Sequence, residues 1–284
     1  MVSFHPTGNR GRLRRETLLQ RRLTTAHSLL PVYLRALQRG QHNILAQLQR
    51  LAISPSQRQD EKIVLTTQQQ HYLIRVLRLR SGDRFIAMDG LGQWWLAELR
   101  GAEGQILEPI PSQTELPISI TLLVALPKGN GFDEVVRYCT EIGVTCITPV
   151  FSERTLPKPS SQKLERWRRI AQEASEQSER QIVPTILAPV PLRTGLFSGV
   201  ASHRYLCTAR GSYPHLLGCL RASILTTNLD AIMIATGPEG GWTATEVDEA
   251  IAAGFEPVSL GRRILRAVTA PIVALSVAAA ALEA

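Results

Sequence analysis

The stretch from 231 to 282, AIMIATGPEGGWTATEVDEAIAAGFEPVSLGRRILRAVTAPIVALSVAAAAL, decides the fold. It opens on a continuous apolar run at 231–235, short enough for a strand buried on both faces. A glycine-rich loop follows, Thr236-Gly237-Pro238-Glu239-Gly240-Gly241-Trp242. Thr243, three residues before Glu246, then signals a capped helix over 243–253. A second apolar run at 257–260 ends in Gly261-Arg262-Arg263-Ile264-Leu265-Arg266, which leads into a terminal apolar helix at 268–282. Strand, helix, strand, helix in this order predicts a parallel sheet covered by helices, with ligands at the carboxyl ends of its strands.

The same alternation extends upstream. Strands are expected at 118–126, 146–150 and 204–208, and helices at 132–142, 162–181 and 213–221. The loops after residues 126, 235 and 260 are therefore the candidate ligand loops. Glycines 237, 240 and 241 let a ligand lie against bare backbone. The loop lacks G-x-G-x-x-G and G-x-x-x-x-G-K-S/T, which argues against dinucleotide and P-loop chemistry. Three arginines at the start of a helix are electrostatically unfavourable, because cations are disfavoured at a helix N-terminus. That placement points to an anion facing them.

Before residue 117 the pattern is β-rich, with strands at 49–53, 84–89 and 93–100 and a short helix at 71–79. Asp89-Gly90 marks a tight reversal, and Pro109, Pro111 and Pro117 mark the boundary that follows. Three segments result: a basic extension at 1–45, a small barrel at 46–116, and an α/β domain at 117–284.

The chain has 284 residues and a net charge of +8, which on its face suggests a polyanionic partner. Residues 1–45 hold eight arginines and a single acid, Glu16, so 8 − 1 = +7 of that charge lies there. This extension is expected to be disordered or a targeting peptide, and outside the working enzyme. Cys139, Cys146, Cys207 and Cys219 form no C-x-x-C pair, and the histidines form no ligand cluster, so neither a disulfide framework nor a metal is expected. The longest apolar run, 16 residues at 267–282, falls short of the roughly 20 needed to cross a bilayer.

The motifs together resemble the ribosomal RNA small subunit methyltransferase E family of the SPOUT class. The match rests on the 236–241 loop, on Glu246, Gly254-Phe255 and Leu260-Gly261-x-Arg263-Ile264-Leu265-Arg266. Upstream it includes Arg75-Val76-Leu77-Arg78, Pro127-Lys128-Gly129, Glu141-Ile142-Gly143-Val144, Pro149 through Arg154, and Trp167 through Arg180. It spans about residues 46–284.

The resemblance implies a PUA-like barrel followed by a parallel-sheet domain with a deep trefoil knot. It further implies a homodimer through that domain, S-adenosylmethionine as methyl donor, and N3 of a uridine in small-subunit rRNA as acceptor, in the cytoplasm or, should 1–45 be a transit peptide, in an organelle. The rRNA or the small ribosomal subunit is then the partner. By resemblance, the donor is held by Thr236, Gly237, Glu239, Gly240, Gly241, Leu260, Gly261, Ile264, Leu265, Arg266 and Ala270, with Arg266 and Arg154 as the catalytic pair. Glu239 is the nearest carboxylate, with capping of its own loop as its alternative role.

Arg75, Arg78 and Arg80 are the expected RNA contacts; 75 and 78 would lie one helical turn apart. Adjacent strand positions send Trp94 and Trp95 to opposite faces, so at most one could stack on a base. Two positions depart from the family pattern: Val268 stands where a carboxylate is usual, and Tyr138 where a lysine is common. A catalytically silent rRNA-binding assembly factor, or an enzyme acting on a different RNA position, therefore remains as an alternative.

Overall fold

The computed structural model describes residues 47–111, 113–155, 160–226 and 229–284. The expectations for 1–45 lie outside the described residues.

The first part is a barrel-like sheet. Its strands are β1 (Arg50–Ala52), β2 (Arg58–Gln59), β3 (Lys62–Val64), β4 (Arg84–Met88), β5 (Trp94–Arg100) and β6 (Glu103–Ile110), in the order β1-β4-β5-β6-β3-β2. Helix α1 (Thr67–His71) lies between β3 and β4. β1 pairs in parallel with β4, and the other pairings are antiparallel. Ile63, Leu73, Phe85, Trp95 and Leu99 fill the interior.

The helix expected over 71–79 lies earlier, over residues 67–76, and is of two kinds. Thr66 caps α1 by accepting from Gln69 N. One π-helical turn then runs over Tyr72–Val76, and Leu79 N closes it on Leu73 O at 2.9 Å. Arg78 sits in that closure with φ +59°, the left-handed residue that ends a helix. Arg75 and Arg78 are thus not one helical turn apart, although both side chains are exposed, as is that of Arg80. Both tryptophans are buried at 5% exposure, so neither face is open for a base.

The second part is a parallel sheet built from β7 (Ser119–Ala125), β8 (Cys146–Phe151), β9 (Thr185–Ile186), β10 (Val190–Pro191), β11 (His203–Cys207), β12 (Ala231–Thr236) and β13 (Glu256–Val258). The order is β10-β8-β7-β12-β11-β13, with β9 beside β8. The connecting helices are α2 (Gly131–Ile142), α3 (Ser161–Gln177), α4 (Leu192–Leu196), α5 (Leu216–Thr226), α6 (Ala244–Ala252) and α7 (Thr269–Glu283).

Alternate residues of each strand feed opposite layers. Leu122, Val124, Ile232, Ile234 and Tyr205 pack with α2, α3, α5 and α7. Leu123, Ala125, Met233, Ala235 and Leu206 pack with α4 and α6. Burial on both faces is why these strands read as unbroken apolar runs rather than alternating ones.

A buried arginine ties the connecting segment to the second part. Arg180, 3% exposed, donates to the carbonyls of Thr140 and Val144 at 3.0 and 2.8 Å and pairs with Glu115 in the connecting segment. Glu115 also accepts from Ile182 N at 3.1 Å. Among the bonds between the two parts, Glu176 of α3 accepts from Ala52 N of β1 at 2.8 Å, and Val183 N donates to Gly90 O at 3.0 Å.

Candidate functional site

β12 and β11 are neighbours at the middle of the sheet, and β13 lies beside β11. The loops that leave their carboxyl ends therefore converge. Trp242 Nε1 donates to Cys207 O at 3.1 Å, tying the glycine-rich loop to the end of β11. Thr208 N donates to Val258 O at 2.9 Å, and Ser259 N to Pro214 O at 2.8 Å, tying the β11 loop to that of β13. Between the three loops is a cleft of about 580 Å³.

Most of the residues assigned to the donor line this cleft: Gly237, Glu239, Gly240, Gly241, Leu260, Gly261, Ile264, Leu265 and Ala270. Arg154 lines it as well. Thr236 and Arg266 do not. Thr236 is fully buried at the end of β12, and its hydroxyl has no hydrogen-bond partner among the described residues. Arg266 is exposed, and its carbonyl accepts from Thr269 N and Ala270 N at the start of α7.

The loop after β7 does not line the cleft but braces it: Lys128 N donates to Glu239 Oε1 at 2.9 Å. Glu239 thus caps a neighbouring loop rather than its own. Arg154 donates to the carbonyl of Gly240 and, at 3.4 Å, to that of Gly241. Glu246, 5% exposed, accepts from Thr243 N and from Glu153 N, both at 2.8 Å, and so fixes the backbone next to Arg154. A Cβ on Gly240 would lie 2.9 Å from Arg154 Cδ, and one on Gly237 would lie 3.2 Å from the Trp242 ring. A side chain at either glycine would have to displace its neighbour, Arg154 at 240 and Trp242 at 237.

The loop after β11 was not anticipated. Cys207, Thr208, Ala209, Arg210 and Tyr213 line the cleft, as do Trp242, Val247, Arg263 and Ala267. The strand-end rule covers the β11 loop too, but only the spatial order, with β11 between β12 and β13, shows that it meets the other two. Burial pushes the Cys207 thiol up to about 12, so it is protonated at neutral pH and offers no thiolate. All four cysteines are free. Among the described residues no group of three or more His, Cys, Asp or Glu could hold a metal, and no helix is long and apolar enough to cross a membrane.

Neither Val268 nor Tyr138 lines the cleft. Val268 is part of the core layer under α2 and α7, and its Cγ2 would lie 2.6 Å from a Cβ at Gly131. Tyr138 is 43% exposed on α2.

The lining suits an amphipathic adenosine-like ligand. Glycine backbone at 237, 240 and 241 and the apolar side chains of Ile264 and Leu265 line the cleft together. With the geometry in view, the similarities are specific. A family model for an RNA methyltransferase domain matches residues 114–279, and one for an RNA methyltransferase PUA domain matches residues 65–107.

The ribosomal RNA small subunit methyltransferase E of Synechocystis sp. is 52% identical over 241 residues, 82% of this chain and 78% of that protein. The Bacillus subtilis protein of the same name is 29% identical over 225 residues, 75% and 87% of the two chains. Among solved structures, the Neisseria gonorrhoeae ribosomal RNA small subunit methyltransferase E bound to S-adenosyl methionine has a TM-score of 0.70 at 30% identity, covering 81% of this chain and 96% of that one. A Legionella pneumophila methyltransferase in complex with the same cofactor has a TM-score of 0.72 at 26% identity, covering 83% and 98%.

Proposed function

Because the chain belongs to the ribosomal RNA small subunit methyltransferase E family, we propose that it methylates N3 of one uridine in small-subunit rRNA. The fold is the SPOUT type with a PUA-like barrel, and the chain is an S-adenosylmethionine-dependent RNA methyltransferase. The observation that carries the finer reading is the cleft itself, lined by glycine backbone, apolar side chains and guanidiniums at the carboxyl ends of adjacent strands.

S-adenosylmethionine supplies an activated methyl group when bound, so the protein's task is to align donor and acceptor and exclude water. Gly237, Gly240, Gly241, Leu260, Gly261 and Ala270 hold the donor through backbone and close packing, with Ile264 and Leu265 against the adenine. Thr236 supports the loop from beneath, and Glu239 holds it to Lys128. Arg154 acts by fixing the Gly240 and Gly241 carbonyls. Arg266, at the rim, holds an RNA phosphate or favours the uridine anion by its charge.

A ring nitrogen as acceptor needs no added nucleophile from the protein. A deprotonated N3 is itself the nucleophile.

Residues 46–116 serve as the RNA-binding barrel through Arg75, Arg78 and Arg80, residues 117–284 as the catalytic domain, and 1–45 as a dispensable extension. Ile272, Val277 and Leu282 of α7 are only partly covered, which supports a homodimer through this domain; sedimentation at micromolar concentration tests it. For the reaction, rRNA from a strain lacking the gene should have lost N3-methyluridine, and restoring the gene should return it. N3-methyluridine unchanged in that strain would exclude the assignment.

A further inference from the structure

Four charged side chains line the cleft: Arg154, Arg210, Arg263 and Glu239. Two are committed to the protein. Arg154 bonds the Gly240 and Gly241 carbonyls, and Glu239 bonds Lys128 N. Arg210 and Arg263 are exposed and make no hydrogen bond or ion pair with any described residue. No protein group compensates their charge, and the donor, with a sulfonium and an ammonium against one carboxylate, is cationic overall and offers a single anionic group for two guanidiniums. They suit an anion that shares the cleft with the donor.

The third component is aromatic. Gly211 has φ +106°, and a Cβ there would lie 2.4 Å from Tyr213 Cε2. The tyrosine ring therefore lies across the glycine backbone, in a place that any side chain at 211 would take. Tyr213 remains 37% exposed and lines the cleft. A partly exposed ring that shares a cleft with two free guanidiniums matches how proteins hold an unstacked nucleotide: the base on an aromatic face, the phosphates on arginine.

Resting on the function proposed above, we infer that Arg210, Tyr213 and Arg263 form the acceptor half of the cleft. Tyr213 receives the face of the acceptor nucleoside, and the two guanidiniums hold the phosphates on either side of it. The near neutrality of the chain beyond residue 45, +8 − 7 = +1, gives this local pair more weight than any global field.

The test uses the full chain, S-adenosylmethionine and unmodified small-subunit rRNA made by transcription. Arg210→Gln and Arg263→Gln should each raise the KM for rRNA about tenfold. Each should also flatten the logarithmic salt dependence of rRNA binding by about 0.7. S-adenosylmethionine affinity, measured by calorimetry without RNA, should stay equal or tighten. Tyr213→Ala should weaken rRNA binding about tenfold, Tyr213→Phe, which keeps the ring, should recover most of that loss, and Arg210→Lys should keep the salt slope. An unchanged rRNA KM and salt slope in both glutamine variants would overturn the inference, as would a loss confined to S-adenosylmethionine binding. Absence of methyl transfer by the wild-type chain would count against the function instead, since the binding and salt measurements are read without turnover.

Discussion

Glu246 was legible in the sequence only by half. Its place three residues after Thr243 marks a capping box, and the structure contains that box. Its second bond, to Glu153 N, joins positions 93 apart in the chain, and no local pattern can announce it. The same holds for Glu239, whose partner Lys128 is 111 positions away. At Gly240 the two kinds of information meet. A glycine cluster after a buried strand signals close approach, and the structure identifies the approaching group as Arg154. Gly240→Ala should push Arg154 off the Gly240 and Gly241 carbonyls. We expect S-adenosylmethionine to bind about tenfold more weakly, or about 1.4 kcal/mol, in calorimetry, with the denaturation midpoint little changed because the loop is at the surface.

At the scale of elements, the strands and helices of the parallel sheet were the most legible part, because apolar runs and caps fix them locally. The barrel was less so: β2, β3 and β6 alternate weakly, and β6 carries Pro109, which reads as a boundary rather than as a strand. The turn at Arg78 was missed because a non-glycine residue occupies the left-handed position. That conformation costs an L-residue about 1 kcal/mol. Arg78→Gly should therefore raise stability by about 1 kcal/mol in chemical denaturation, while weakening rRNA binding through loss of the guanidinium.

Where α3 meets β1, Glu176 has its carboxyl held above the ordinary range, first by burial, against the bond from Ala52 N. A carboxyl raised in the folded state binds its proton more tightly there than in the unfolded chain. Its stability contribution is therefore present at low pH and lost as pH rises through the raised value. Glu176→Gln keeps an acceptor for Ala52 N and removes the buried charge. It should raise the melting temperature at pH 8 by more than at pH 5.

For the whole molecule, charge was the least reliable guide. The net +8 suggests nucleic acid, yet nearly all of it lies in residues 1–45. What points to RNA in the described part is local: Arg75, Arg78 and Arg80 exposed on the barrel, and free guanidiniums at the cleft. The meeting of three loops needed the strand order, because β11 and β12 touch only once the sheet is formed.

The central claim is tested most directly by incubating the purified full chain with S-adenosylmethionine and unmodified small-subunit rRNA, then digesting the RNA to nucleosides for mass spectrometry. The account predicts N3-methyluridine approaching one residue per rRNA molecule, and none when S-adenosylmethionine is left out. A methyl group on a ribose hydroxyl, on a pyrimidine carbon, or on no nucleoside, from both naked rRNA and assembled subunits, would contradict it.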